Sequence, residues 1–370
     1  MVLNNITSNA ATGPETRPMT GYVLRPAVRA GPAPAGMFTA AEYKEVEQYY
    51  REQPPTPLHS LPELARRLGI AELLLKDESS RAGLNAFKIL GVDFALSRLR
   101  RDGRLSQGTV LACATDGNHG RAVARTAARM GLASHVYLPS QASRARIQAI
   151  AGEGAEVHIT DGNYDDAVRQ AARDAGQNGW LAVSDTSWPG YEEVPRMIMC
   201  GYTQLIMEAS RQWTAPPDAV LVQAGVGGLA CAVGSWFAQQ YGQWRPYLIC
   251  CQAERSACIV AAARGGAPVA LQGSLETLMD CLSAGEVSHS AWPFIHAVYD
   301  AYMAVADDRA VEAAGLLRQA GIGAGFSGAC GLASLLALVK EEPLEPLRLA
   351  SGVGEATRVL LILTEGPVPG

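Results

Sequence analysis

Short apolar segments alternate with amphipathic helical stretches along most of this chain, and no other feature restricts its fold as much. Strands are expected at 110–114, 135–138, 157–159 and 181–184, with helices at 86–99, 120–130, 144–151, 164–175 and 194–211. A second series places strands at 219–223, 247–251, 301–306 and 359–363, with helices at 228–241, 257–264, 309–319 and 328–340. Strands that are apolar at successive positions are covered on both faces, which implies mostly parallel sheets flanked by helices. Ligands of such folds bind where loops leave the carboxyl ends of strands.

At 370 residues the chain exceeds one core and suits two α/β lobes. Residues 1–36, rich in Pro, Gly, Ala and Thr, are expected to form an extended, loosely ordered arm. Thr39 and Glu42 form a capping box opening a helix to about Arg51, stopped by Pro54, Pro55 and Pro57. A short helix at 61–68 ends at Gly69, and a strand follows at 73–76.

Against 31 basic residues stand 36 acidic ones, a net charge of −5 that disfavours nucleic acid or an anionic membrane as partner. The longest apolar runs are strand-length, and the first residues lack a basic start with an apolar stretch, so a cytoplasmic protein is expected. The eight cysteines include no CxxC pair and are expected as free thiols. The six histidines show no HxxxH spacing, so no metal site is expected.

Four loops carry chemistry. Lys76 to Lys88 is a polar strand-to-helix turn that delivers Lys88 into the first turn of an apolar helix. A positive charge near a helix N-terminus is disfavoured, so the ammonium pKa is expected to fall, which suits an imine-forming lysine. In Ala114 to Arg121, glycines flank Asn118 and let backbone and amide approach a ligand, with Asp116 at the mouth as an acid or base. Gln223 to Ala230 holds three glycines between strand and helix, a nest of N–H donors for a phosphate. It also fits GxGxxA, so a dinucleotide site with Glu254 as ribose acid competes. Thr364, after the last strand, offers a hydroxyl to a neutral ring nitrogen. Taken singly, each loop also fits a turn, a cap or a surface lysine.

Together and in order, these loops resemble the fold-type II family of pyridoxal-phosphate enzymes, and within it the diaminopropionate ammonia-lyase family. The resemblance runs from about Tyr43 to Gly366. It rests on PTPL (Pro55 to Leu58), KDES and GLNAFK with the following Leu90-Gly91, ATDGNHGRAVA (Ala114 to Ala124), Ser184-Asp185-Thr186 with Gly190-Tyr191, QAGVGGLA and the closing TEG.

What the resemblance implies is specific. The fold is two three-layer α/β lobes with mostly parallel twisted sheets, like the tryptophan synthase β chain. Residues 37–85 with 200–370 form the large lobe and 86–199 a small mobile lobe. The cofactor is pyridoxal 5′-phosphate, bound as a Schiff base by Lys88 and contacted by Phe87, Asn118, Gly225, Val226, Gly227, Gly228, Leu229 and Thr364. Asp116 and Asp185 match the aspartate pair of the ammonia-lyases and join Lys88 as catalytic residues. The reaction is β-elimination on 2,3-diaminopropionate or a related β-substituted alanine, through an aminoacrylate to a 2-keto acid and ammonia. The alternative is β-replacement or serine/threonine dehydration on a specialised substrate. The partner is a small amino acid, and a homodimer is expected. Met279-Asp280-Cys281-Leu282 and Gly325-Phe326-Ser327-Gly328 depart from the family pattern near the pocket. A disulfide of some relatives has a counterpart in Cys258, but its partner position is Ala284, so no such bond is expected.

Overall fold

The computed structural model describes residues 21–25, 28, 35–115 and 117–367. Along the chain run β1 (Gly21–Leu24), α1 (Ala40–Tyr50), β2 (Leu58–Ser60), α2 (Pro62–Leu68), β3 (Glu72–Asp77), α3 (Lys88–Arg101), β4 (Val110–Ala114), α4 (Asn118–Met130), β5 (Ala133–Pro139), α5 (Arg144–Ala151), β6 (Glu156–Thr160), α6 (Tyr164–Asn178) and β7 (Leu181–Ala182). Then follow α7 (Glu193–Ser210), β8 (Ala219–Gln223), α8 (Gly228–Tyr241), β9 (Tyr247–Ala253), α9 (Cys258–Gly265), α10 (Ala291–Val298), β10 (Ala301–Val305), α11 (Asp307–Gln319), α12 (Phe326–Lys340), α13 (Glu345–Ser351) and β11 (Arg358–Leu363).

Two sheets result. The larger has the order β1–β10–β9–β8–β11–β3–β2, parallel except for the antiparallel edges β1 and β2. The smaller has the order β6–β5–β4–β7 and is parallel throughout. Because strand side chains alternate faces, one strand feeds two cores. Leu360 and Ile362 of β11 join one hydrophobic cluster, while Val359, Leu361 and Leu363 join the other. The same split divides Val220 and Val222 from Ala219 and Leu221 on β8. Both faces of the large sheet are therefore covered, which is why its central strands are apolar at consecutive positions.

Local signals place the helices. Thr39 Oγ1 accepts from the Glu42 amide at 3.2 Å, and Glu42 Oε2 accepts from the Thr39 amide at 2.9 Å, closing the capping box of α1. Gly69 ends α2 in the left-handed region at φ 66°. Gly91 lets α3 lie close to α7, since a Cβ there would sit 2.6 Å from the Ile198 carbonyl oxygen. That crossing fixes the helix whose first residue is Lys88.

The expected loose arm is corrected in part. Its residues 1–20 lie outside the described residues, but Gly21–Leu24 adds to β10 as an edge strand. Tyr22 and Leu24 pack against one core and Val23 against the other, the pairing that alternate apolar positions allow.

Candidate active site

The strand ends deliver the four loops to one cleft. β3 leads through a polar turn to Lys88, β4 to Asn118, β8 to Gly225 and β11 to Thr364. The Phe87 amide donates to the Thr364 carbonyl at 3.2 Å, and the Gly366 amide to the Asn85 carbonyl at 3.0 Å, tying the first loop to the last. The cleft is open to solvent on one side and lined by both polar and apolar groups. Phe87, Lys88, Asn118, Asp185, Gly225, Val226, Gly227, Gly228, Leu229 and Thr364 all line it. Asp116 lies outside the described residues, and its neighbours Thr115 and Gly117 line the cleft.

At the centre, the Lys88 ammonium donates to Asp185 Oδ2. Tyr164 donates its hydroxyl to the other carboxylate oxygen at 3.3 Å. His119 Nε2 donates to the Val183 carbonyl at 2.7 Å, leaving Nδ1 3.9 Å from Asp185 Oδ2. Burial, outweighing the attraction of Asp185, holds the His119 pKa below its ordinary value, so the ring is neutral at pH 7.

The expected fall in the Lys88 pKa is overturned. Burial does oppose the charge, but the adjacent Asp185 carboxylate outweighs it and raises the ammonium pKa above its ordinary value. Burial likewise opposes the Asp185 charge, and Lys88 more than compensates, so the carboxyl lies below its ordinary range. A helix terminus acts at a distance, whereas this ion pair is in contact, and contact wins.

Gly227 caps α8 at φ 103°, where a Cβ would come within 2.7 Å of Ile295 Cδ1. The first N–H groups of α8 have no intrahelical acceptor and make an anion site beside the lysine. Gln223 Nε2 donates to the Ile362 carbonyl at 2.7 Å and to Thr364 Oγ1 at 3.2 Å, fixing the hydroxyl at the strand end. The Asn118 amide donates to Glu365 Oε2 and lies 3.3 Å from Cys281 Sγ. Arg146, from α5, bonds Asp280 Oδ1 at 2.7 Å and Cys281 Sγ at 3.0 Å. Burial and then the Glu365 charge push the Cys281 thiol well above its ordinary pKa, so it stays protonated.

Of the positions that depart from the family pattern, Cys281 lines the cleft, while Asp280 and Phe326, the latter 38% exposed, lie outside it. Cys258 is a free thiol and Ala284 lines the cleft. Glu254 lies in a short turn after β9 and is not among the cleft residues, so the dinucleotide alternative loses its ribose acid. The sequence reading missed Tyr164 and His119. Tyr164 was within reach, since it begins a helix just beyond the carboxyl end of β6.

The profile of the pyridoxal-phosphate dependent enzymes matches residues 50–365. The chain belongs to that family. It is 35% identical to diaminopropionate ammonia-lyase of Salmonella typhimurium over 87% of this chain and 88% of that protein. The enzyme of the same name from Escherichia coli strain K12 is 33% identical, covering 89% of both. Among solved structures, the Escherichia coli diaminopropionate ammonia lyase in complex with an aminoacrylate-PLP azomethine reaction intermediate superposes with a TM-score of 0.86 at 32% identity, over 94% of each chain. Threonine deaminase isoform 2 of Solanum lycopersicum shares the fold with a TM-score of 0.73 at 19% identity, covering 95% of each chain.

The cofactor of the family is pyridoxal 5′-phosphate, and the residues present fit it. The cleft brings together a lysine amine, a glycine cradle at a helix start that a side chain would fill, and a hydroxyl fixed at the end of β11. Among the described residues, no helix of this pyridoxal-phosphate dependent enzyme is long and apolar enough to cross a membrane.

Proposed function

We propose that the chain is an ammonia-lyase that eliminates the β-amino group of 2,3-diaminopropionate, or the β-substituent of a related alanine, giving a 2-keto acid and ammonia. The observation that carries this reading is the Lys88–Asp185 pair inside a cleft with a phosphate cradle. Pyridoxal 5′-phosphate, when bound, supplies an electron sink that acidifies the substrate's Cα–H. Gly225 to Leu229 would hold its phosphate, and Phe87, Asn118 and Thr364 would contact the rest of it. Released as a neutral amine when the substrate takes its place on the cofactor, Lys88 would take the Cα proton of an L-substrate, and Asp116 would serve a D-substrate from the opposite face. An amine leaves readily only when protonated, and Asp185 keeps the departing nitrogen as ammonium by binding it as it binds Lys88. The lobe of residues 86–199 closes on the rest of the chain and excludes water. Working in the cytoplasm as a homodimer accords with this reading.

The test is a panel of β-substituted alanines offered to the purified enzyme, with release of ammonia and 2-keto acid measured. Product from 2,3-diaminopropionate above all others supports the reading. Turnover confined to serine or threonine, or a product that keeps a new β-substituent, favours dehydration or β-replacement instead. Asp116→Asn is expected to retain cofactor and to lose activity on the D-substrate by about a hundredfold; full activity would remove its assigned role.

A further inference from the structure

The smaller sheet carries a second cluster of side chains, none of them among the cleft residues. β5 and β6 are parallel neighbours, with His135 opposite Glu156 and Tyr137 opposite His158. All four side chains fall on one face of the sheet. Tyr137 reaches α6 on that face, donating its hydroxyl to Asp174 Oδ2 at 2.7 Å.

His135 Nδ1 stands 2.9 Å from His158 Nε2. Glu156 brings one carboxylate oxygen to 3.7 Å from His135 Nδ1 and the other to 3.5 Å from His158 Nε2. Aromatic packing holds both rings. His135 stacks on Trp180 at 4.0 Å and 8°, and His158 on Tyr137 at 4.6 Å and 18°. Two ring nitrogens at this distance share one proton, and an ion that displaces it would meet both of their lone pairs. Among the described residues no lysine or arginine lies within ion-pair distance of Glu156, so its carboxylate answers to the imidazoles alone.

We propose that His135, His158 and Glu156 bind a borderline divalent cation such as zinc, with a further position open to solvent. Two neutral imidazoles and a carboxylate are the donor set of three-ligand zinc sites. On a tetrahedral ion at 2.0–2.1 Å the two nitrogens would be about 3.3 Å apart. The present separation needs to open by only a few tenths of an ångström. Glu156, 66% exposed, swings freely to complete the set. The ion ties the edge strand β6 to β5, and its binding energy adds to the stability of the lobe.

The test uses untagged holoenzyme, equilibrium dialysis against zinc with the bound metal counted, and thermal unfolding with and without the ion. One equivalent is expected, with a rise in Tm. His158→Ala is expected to lose that equivalent while keeping the cofactor's visible absorbance. Glu156→Gln, at an exposed position, is expected to weaken binding about tenfold or more. Cys281→Ser tests the competing donors Asp280, Cys281 and Glu365 at the edge of the cleft and is expected to leave the equivalent in place. No bound zinc, an equivalent that survives His158→Ala, or one that vanishes with Cys281→Ser would each overturn the proposal. Should His158→Ala not fold, unchanged affinity in Glu156→Gln overturns it equally.

Discussion

Lys76 and Lys88 lie in the same strand-loop-helix segment, and both put an amine out of water against carboxylates, yet their pKa values move in opposite directions. Lys76 is fully buried and donates to the Thr56 carbonyl at 2.6 Å, Glu208 at 2.9 Å and Gln212 at 3.4 Å. Its pKa is lowered, because burial outweighs Glu78 and Glu208. Those carboxylates are already engaged by Arg81, which bonds Glu78 at 2.8 Å and Glu208 at 2.6 Å. Lys88 has the Asp185 carboxylate largely to itself, and its pKa is raised. The side chain is also 20% exposed, toward the cleft. Burial alone therefore does not make a lysine reactive. An amine with all three hydrogens committed to protein acceptors is structural, whereas one with an open face toward the cleft is available for chemistry.

Exchanging the two fates is the strongest test. Lys88→Ala is expected to abolish the visible imine absorbance and to lower turnover by about 10⁴-fold or more, with the fold retained. Lys76→Met is expected to keep the absorbance but to lose about 3 kcal/mol of stability in urea unfolding, since it strips one cation from a buried network. A Lys76 variant without absorbance, or a Lys88 variant with it, would reverse the comparison. Asp185→Asn sharpens it. With the carboxylate gone, burial is left to act unopposed, and the Lys88 pKa should drop below its ordinary value, as that of Lys76 does. The pH at which the cofactor-stripped variant recaptures added pyridoxal phosphate should then fall, and turnover should drop about a hundredfold. A recapture pH that does not move would show that Asp185 is not what holds the charge.

The same contrast explains what the sequence disclosed. Strands 110–114 and 219–223 and helix 228–241 were legible to the residue, because apolar strands and glycine-led helix starts are local patterns. Its four chemistry-bearing loops were legible because each follows a strand end, whereas Cys281, Leu282 and Ala284 reach the cleft from a stretch that follows a helix. Helix α10 was not, since Ala291-Trp292-Pro293-Phe294 carries no polar stripe for a helical period to show. The sign of the Lys88 shift was hidden for another reason: its cause, Asp185, stands 97 residues away. A search for HxxxH finds histidines on one helix and passes over His135 and His158, which meet only through strand pairing.

A half-buried charge, Asp165 at the start of α6, extends the comparison to a carboxylate without a close cation. Burial and then Glu286 push its pKa up to about 6, against a hydrogen bond from the Gly285 amide at 3.2 Å and the more distant pull of Arg169. The folded pKa is raised above the unfolded one, so between about pH 4 and 6 the folded chain binds more protons than the unfolded chain. Stability therefore falls as pH rises through that window. Asp165→Asn keeps an oxygen to accept from Gly285 and removes the charge. It is expected to stabilise the protein by on the order of 1 kcal/mol at pH 8 and to be neutral at pH 4, where Asp165 is already protonated. Thermal melts of the two proteins at both pH values decide it. A gain of equal size at pH 4 would mean that packing, not charge, is what the substitution relieves.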